Sequence, residues 1–495
     1  MVCYFLTLML PRPILEEDAS RPIYRQLYEH IKGCIEAGTL APGERLPATR
    51  ELAGQLGLNR ATVSSAYDLL ETAGLISGQV GRGSFVTAGS SRTPGIDWSA
   101  LLPPGTQRTS VSDARISFSN SRPSEFLFPM EAFRDTCSEV IQSNEATNIL
   151  QLGSPAGYAP LRRYLLERGR EEGVVREGDD ILITSGCQQG FDLLQRVLVA
   201  HGETVLLEDP VFPGLVSVFS RASARIVGIS VGANGMDVQH AERVLQREPV
   251  RMVVVTGSFQ NPTGTSLPED ERRYLLQVVQ RAGAILVEND IYGDLVYSGV
   301  RQPTIRQLDE TGDTVLLRSY SKLAFPGLRV GWAIGPARLI ARLTEAKQAS
   351  DLHTDHLAQA VLLRFTESGR LAAHKRKMLE AGRERLDAAL DACERHLPPG
   401  SRFTRPRGGM NLWISLPEPL DAAELLPKAV REGVSYMPGK YFAVSRSEPG
   451  TLRLSFAQLP PDDITTGIAV LGRLFRSELE QAREQARLDP APVLV

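Results

Sequence analysis

The chain has 495 residues, 42% apolar and 23% charged, a composition that excludes collagenous and disordered classes and predicts a soluble globular protein with more than one core. Its 55 Lys and Arg against 58 Asp and Glu give a formal net charge of -3, which excludes wholesale coating of nucleic acid or membrane, so any DNA contact must be local. Cys3, Cys34, Cys137, Cys187 and Cys393 show no CxxC or Cys/His ligand spacing, so reduced thiols, a cytoplasmic location and no metal site are expected.

The opening run MVCYFLTLML is ten residues long, shorter than the ~17 to 25 that span a bilayer, and it lacks a basic n-region and a cleavage site. It is read as part of an N-terminal tail over residues 1–20, with no membrane partner.

From residue 21 the pattern is helical. In RPIYRQLYEHIKGCIEAG the apolar positions Ile23, Leu27, Ile31, Cys34 and Ile35 recur at threes and fours, predicting a half-buried helix closed by Gly38. LPATRELAGQLG predicts a second helix with Pro47 in its first turn, where the missing N–H costs nothing. In LNRATVSSAYDLLETAG, Asn59 caps a third helix and Val63, Ala66, Tyr67 and Leu70 form its buried stripe. Arg60, Thr62, Ser64 and Ser65 then face outward at the end that a helix-turn-helix inserts into the major groove. GLISGQVGRGSFVTA reads as a hairpin with Arg82 at its tip, a wing. Residues 21–88 are therefore expected to be a winged helix-turn-helix domain that binds double-stranded DNA. Seven basic residues against six acidic ones leave a small helical docking domain as the alternative. The stretch from PIYRQLYEHI to GRGSFV resembles the GntR-type winged helix, and the resemblance implies DNA contacts from Arg50 and Arg60, with Thr62 and the Gly83 wing backbone close by.

Residues 89–113, rich in Ser, Pro, Gly and Thr without a sustained period, read as a linker. Beyond it, over residues 114–479, short apolar runs (DILITSG, ETVLLED, VRMVVVTGS, AILVEND, DTVLLRSYS, RVGWAIG) alternate with helical stretches. This predicts a mostly parallel sheet with helices on both faces, whose ligands bind beyond the carboxyl ends of the strands. Residues 480–495 are read as a C-terminal tail.

Candidate chemical residues fall at those strand ends. Gly186, Cys187 and Gln188 open a helix after DILITS, a natural phosphate seat. Phe212 follows ETVLLED, where a ring could stack on a flat ligand. Asn261 precedes Pro262 in a turn, and Asp290 and Tyr292 follow AILVEN. A carboxylate at the end of a buried strand needs a cationic partner, and a protonated pyridine nitrogen would suit it. DTVLLRSYS delivers Ser319 and Lys322, and Arg329 brings a fixed charge suited to a phosphate dianion. Each has a structural alternative when taken singly. Jointly they describe a pyridoxal 5'-phosphate site: Lys322 for the Schiff base, Asp290 for the ring nitrogen, Asn261 and Tyr292 for the phenolic oxygen, Phe212 for the ring face, and Gly186 to Gln188 with Ser319 and Arg329 for the phosphate.

The motifs NPTG, DIY and SYSKLAFPGLRVG resemble those of fold-type I, class I/II aminotransferases, from residue 117 to about 475. The resemblance implies an α/β transferase fold with a smaller C-terminal α+β subdomain, and through TLRLSFA it implies that Arg453 grips a substrate carboxylate. Leu152 stands where the family carries a tyrosine that reaches the phosphate across the dimer interface, with only Tyr158 near. Ser121 replaces the glycine of FSxGxP. A GntR-type reader joined to such a domain resembles the MocR/GabR-type regulators. That architecture implies a homodimeric transcriptional regulator that senses an amine, an amino acid or the cofactor itself through exchange at Lys322; a working aminotransferase with an appended DNA module is the alternative. Gly214 occupies a position where γ-aminobutyrate-binding relatives carry arginine, so a different amine is expected.

Overall fold

The computed structural model describes residues 22–79, 83–87, 114–445 and 448–488, with Pro13 and Leu15. It divides into two compact units, Met1–Arg108 and Thr109–Val495.

In the first unit α1 (Ile23–Glu36) buries Leu27, Ile31 and Cys34, the interior rows of the apolar pattern. Gly38 turns the chain out of it at φ +74°. The second helix, α2 (Thr49–Leu56), begins later than the sequence suggests: Ala48 is its N-cap and Pro47 lies outside. Tyr67 Oη donates to the Pro47 carbonyl at 2.8 Å, tying that residue to the third helix. That helix, α3 (Arg60–Thr72), is capped by Asn59, whose Oδ1 accepts from Ala61 N at 2.9 Å, and it buries Val63, Ala66, Tyr67 and Leu70 as the spacing predicts. Strands β1 (Ile76–Gln79) and β2 (Gly83–Val86) form the antiparallel wing, Ile76 opposite Val86. Leu46 N donates to Ser84 O and Val86 N to Glu44 O, fastening the hairpin to the segment before α2. Arg82 and the linker 89–113 lie outside the described residues.

The second unit contains β3 (Ile116–Ser117), β4 (Asp179–Thr184), β5 (Thr204–Asp209), β6 (Arg225–Gly232), β7 (Gly235–Met236), β8 (Met252–Val255), β9 (Ile285–Asn289), β10 (Val315–Ser319) and β11 (Gly331–Pro336). Eight of these make one sheet in the order β4-β11-β10-β9-β8-β5-β6-β7. The pairs β10–β9, β9–β8, β8–β5 and β5–β6 are parallel. RVGWAIG, read from sequence as one more strand of a mostly parallel sheet, enters as β11, antiparallel to both neighbours. Its connection from β10 is a loop holding only two 3-10 turns, too short for the crossover helix that a parallel entry requires. The sequence reading did not mark β6, which lies between β5 and the two-residue edge strand β7 and has mostly exposed and half-buried positions with Gly228 in its middle.

The C-terminal subdomain follows: β12 (Arg402–Phe403), β13 (Asn411–Ser415), β14 (Val434–Ser435), β15 (Met437–Pro438) and β16 (Thr451–Ser455). Four of them form an antiparallel sheet, β12-β13-β16-β15, while β14 pairs with β3. Phe118, next to β3, is buried among Leu412, Leu454, Ile464 and Phe475, so the start of the second unit is built into the subdomain at its end. The last helix spans Pro461–Leu488 and so continues through residues 480–488, which the sequence reading placed in a tail; Leu479 is its last buried residue among those described. Among the described residues no helix is long and apolar enough to cross a membrane.

Candidate functional site

Strand β10 ends in a single 3-10 turn, Tyr320–Lys322, capped by Ser319, whose Oγ accepts from Ser321 N at 3.0 Å. The turn sends Lys322 back over the strand ends, where Nζ donates to the Ser121 carbonyl at 2.7 Å and lies 5.5 Å from the centre of the Tyr292 ring. Tyr292 is buried and its Oη sits 3.4 Å from Asn261 Nδ2. Asn261 Oδ1 in turn accepts from Arg453 Nη1 at 3.1 Å. Lysine, tyrosine, asparagine and arginine, far apart in sequence, thus form one continuous row.

Arg453, on β16, is 4% exposed, donates Nη2 to the Ser119 carbonyl and lies over the Phe442 ring at 5.0 Å. Its Nε is buried without a partner. Burial pushes the guanidinium down to about 10. A buried cation with only neutral neighbours is costly, and an anionic ligand group would offset that cost.

At the other end of the row, Gly186 caps the helix Cys187–Leu198 with φ +79°. A Cβ there would collide with the Arg329 guanidinium, so only glycine lets the cation rest on the helix N-terminus. Arg329 donates to Ser185 O at 3.3 Å and to Ser321 Oγ at 3.4 Å. Ser319 Oγ lies 2.9 Å from the Val330 carbonyl, so the serine that touches Arg329 is Ser321, which the sequence reading passed over. Cys187 Sγ points inward to the Arg318 carbonyl at 3.3 Å, and burial pushes its thiol up to about 12. Gln188 Nε2 donates to Gly214 O at 3.0 Å. Phe212 is 44% exposed, and a Cβ on Gly214 would strike its ring. Leu152 is 74% exposed and offers no polar atom, while Tyr158 donates to Glu145 at 2.8 Å.

Asp290 differs from expectation. Its Oδ2 already accepts from Arg318 Nε at 2.9 Å and Arg301 Nη2 at 3.0 Å. Arg318 also pairs with Glu172 at 2.6 Å, and Arg301 with Asp294 at 3.3 Å. The sequence reading missed both arginines, although Arg318 is the one charge in VLLRS. Arg301 also borders a cavity of about 1170 Å³ lined by Phe403, Arg405, Arg407 and Trp413 rather than by Lys322 or Arg453, so that cavity and the reactive side chains do not coincide.

An amine, a guanidinium on a glycine-capped helix N-terminus, a carboxylate with one oxygen outside any described hydrogen bond, and a buried arginine beyond them fit a flat phosphorylated aldehyde such as pyridoxal phosphate. The Gly186 cradle is the feature that tests the fit, since any side chain would fill it.

In the first unit Arg50, Arg60 and Ser65 are exposed and Thr62 and Ser64 half-buried, all on or beside the N-terminal ends of α2 and α3. Gly83, at φ +109°, has Arg45 beside it: a Cβ there would lie 2.9 Å from Nε. Arg45 is a further cation at the wing, marked in sequence only by its place between two turns.

Residues 124–471 match the model for aminotransferase class I and II, and residues 23–86 match that for bacterial regulatory proteins of the gntR family. The chain belongs to the class I and II aminotransferase family and carries a gntR-type DNA-binding module ahead of that domain, the composition of a MocR-type transcriptional regulator. It is similar to aromatic-amino-acid aminotransferase 1 of Thermococcus litoralis, 35% identical over 74% of this chain and 89% of that one. It is also similar, at 27% identity over 93% of this chain and 95% of that one, to the probable rhizopine catabolism regulatory protein MocR of Rhizobium meliloti. Among solved structures, the α-aminoadipate aminotransferase LysN of Thermus thermophilus, complexed with N-(5'-phosphopyridoxyl)-L-leucine, superposes with a TM-score of 0.72 at 33% identity, covering 78% of this chain and all of that one.

Proposed function

We propose that the chain is a DNA-binding transcriptional regulator that holds pyridoxal phosphate on Lys322 and reads an amino acid or related carboxylated amine against Arg453. The observation that carries the ligand class is the buried Arg453 guanidinium, with Nε unpartnered, in line with Asn261, Tyr292 and the Lys322 amine. Bound, the cofactor supplies an aldehyde for which Lys322 and a ligand amine compete, and a ring that draws electrons. Asn261 and Tyr292 hold the phenolic oxygen; Arg329, Ser321 and the Gly186 helix end hold the phosphate; Phe212 covers one ring face. Recognition of DNA falls to Arg50, Arg60, Thr62, Ser64, Arg82 and the Gly83 wing, in the cytoplasm.

A homodimer fits the surface. Exposed Met130, Ile141, Leu150, Leu152 and Leu352 lie on segments around the helix His356–Glu367, a grouping of apolar side chains that a second copy would cover. The test is footprinting of the chain's own upstream and divergent promoter with and without the cofactor and a panel of amino acids. Occupancy that changes with an amino acid only when the cofactor is present supports the reading; occupancy indifferent to both refutes it.

A second reading, a working aminotransferase with an appended DNA module, is favoured by the 35% identity to a named aminotransferase. Repeated turnover with an amino donor and a keto acid would establish it.

A further inference from the structure

Strand β13 opens on Asn411, which is fully buried, and among the described residues neither its Nδ2 nor its Oδ1 has a hydrogen-bond partner. Asparagine is a poor strand former and a buried amide without partners is costly, so the position carries two penalties that packing does not call for. Leu412, Ile414, Leu452 and Leu454 turn into the subdomain core. Alternation along the strands therefore puts Asn411, Trp413, Arg453 and Ser455 on the opposite face, Asn411 paired with Ser455 and Trp413 with Arg453. Asn411 is thus the diagonal neighbour of the ligand arginine, at the roughly 7 to 8 Å that such neighbours keep, a gap that a bound small molecule can bridge.

The polar side chains around Asn411 are committed elsewhere. Ser455 Oγ donates to the Met410 carbonyl at 3.1 Å, Asn261 is used by Tyr292 and Arg453, and Thr263 and Thr265 bond each other at 2.7 Å. A Cβ on Gly264 would strike the Asn411 carbonyl, so the loop that carries Asn261 packs directly on the start of β13. Arg453 Nε, and Ser121 Oγ beside the carbonyl that receives Lys322, are also buried without partners. Unfilled polar atoms therefore accompany the row from Lys322 to Arg453 and continue past it to Asn411.

We propose that Asn411 is a specificity-determining residue beside Arg453, selecting an amino acid whose side chain carries a hydrogen-bond donor, a hydroxyl or an amide, over an apolar one of the same shape. The inference rests on the cofactor and ligand reading above. A ligand carboxylate fills donors only, Arg453 Nε and Asn411 Nδ2. Asn411 Oδ1 is an acceptor, and a ligand satisfies it only by bringing an N–H or O–H as well. An apolar side chain would leave that amide buried and unpaired, and a site built to hydrogen-bond a polar group rejects the analogue that lacks it.

The test uses full-length protein loaded with pyridoxal phosphate and follows the amino-acid-induced spectral change across pairs of like shape: threonine and valine, asparagine and leucine, glutamine and methionine. In the wild type the polar member of at least one pair should bind roughly tenfold or more tighter than its apolar counterpart. Asn411→Leu should erase that difference. Having lost an amide with no partner, the same variant should unfold without ligand at the temperature of the wild type or above it. Equal wild-type midpoints within every pair, a comparison that needs no variant, would overturn the inference while leaving the cofactor reading in place. A preference that survives in Asn411→Leu would do the same, and earlier unfolding of that variant would make Asn411 a residue of the fold instead. Cofactor that borohydride fails to fix on Lys322, or that responds to no amino acid, would overturn the reading above and this inference with it.

Discussion

Among the described residues Arg453 holds a buried positive charge against two neutral oxygens and an aromatic face. Arg453→Ala should leave cofactor binding and its absorbance unchanged but weaken the amino-acid-induced spectral change by ~1.5 to 3 kcal/mol in apparent affinity, the value of a charge-assisted hydrogen bond. Titration of wild type and variant with the same amino-acid panel measures this, and equal midpoints would remove Arg453 from the ligand site. γ-Aminobutyrate should be a poor ligand for the wild type, because Gly214 supplies no cation and the Phe212 ring stands where its side chain would begin. A second buried group makes a pH prediction. Glu208, at the end of β5, accepts from Thr256 N and Gln260 Nε2 with no cation in contact, and burial pushes its carboxyl up to about 8. In acid it is neutral whether the chain is folded or not. As the pH rises above the ordinary carboxylate range the unfolded chain ionises first, so the stability Glu208 contributes is full below that range and lost as pH climbs to about 8. Thermal unfolding of wild type should therefore fall between mildly acidic and mildly alkaline pH by more than that of Glu208→Gln, by on the order of a few kcal/mol. Parallel curves would contradict the assignment.

At the scale of elements, the recognition helix depends on its first turn. Asn59 Oδ1 satisfies the Ala61 N–H at 2.9 Å, and loss of such a cap costs about 1 kcal/mol. Asn59→Ala in the full-length protein should lower the stability of the first unit by that amount, seen as earlier protease cleavage within α3, while cofactor absorbance holds. The helix Cys187–Leu198 depends instead on a missing side chain. Gly186→Ala places a methyl against the Arg329 guanidinium and asks alanine to adopt φ +79°, so cofactor affinity should drop at least tenfold while Arg453 and Lys322 keep their places. Equilibrium dialysis against pyridoxal phosphate reads the difference.

For the whole molecule, two surfaces make separate predictions because they belong to separate units. Arg60→Ala should weaken specific DNA binding by ~1 to 3 kcal/mol if the side chain reads a base, with no effect on the cofactor spectrum. Leu152, 74% exposed beside a packed helix, should lie under a second copy of the chain. Sedimentation should give twice the chain mass for wild type, and Leu152→Asp should shift the population toward the monomer.

The placement of most candidate residues was legible in the sequence. Helix rows in 23–72, the Asn59 cap, and the strand-end placement of Gly186, Asn261, Asp290, Tyr292 and Lys322 follow from local periodicity and turn chemistry, which operate over a few residues. The pairing of Asp290 with Arg318, 28 residues away, does not. It depends on β9 and β10 lying side by side, a consequence of sheet order that no local pattern encodes. The same holds for the Ser119 and Ser121 carbonyls, delivered to Arg453 and Lys322 because β3 pairs with β14 more than 300 residues on. Sequence alone determined which groups stand at the strand ends. Tertiary structure decided which charges those groups face, since electrostatic partners are set by distance in space and burial rather than by order along the chain.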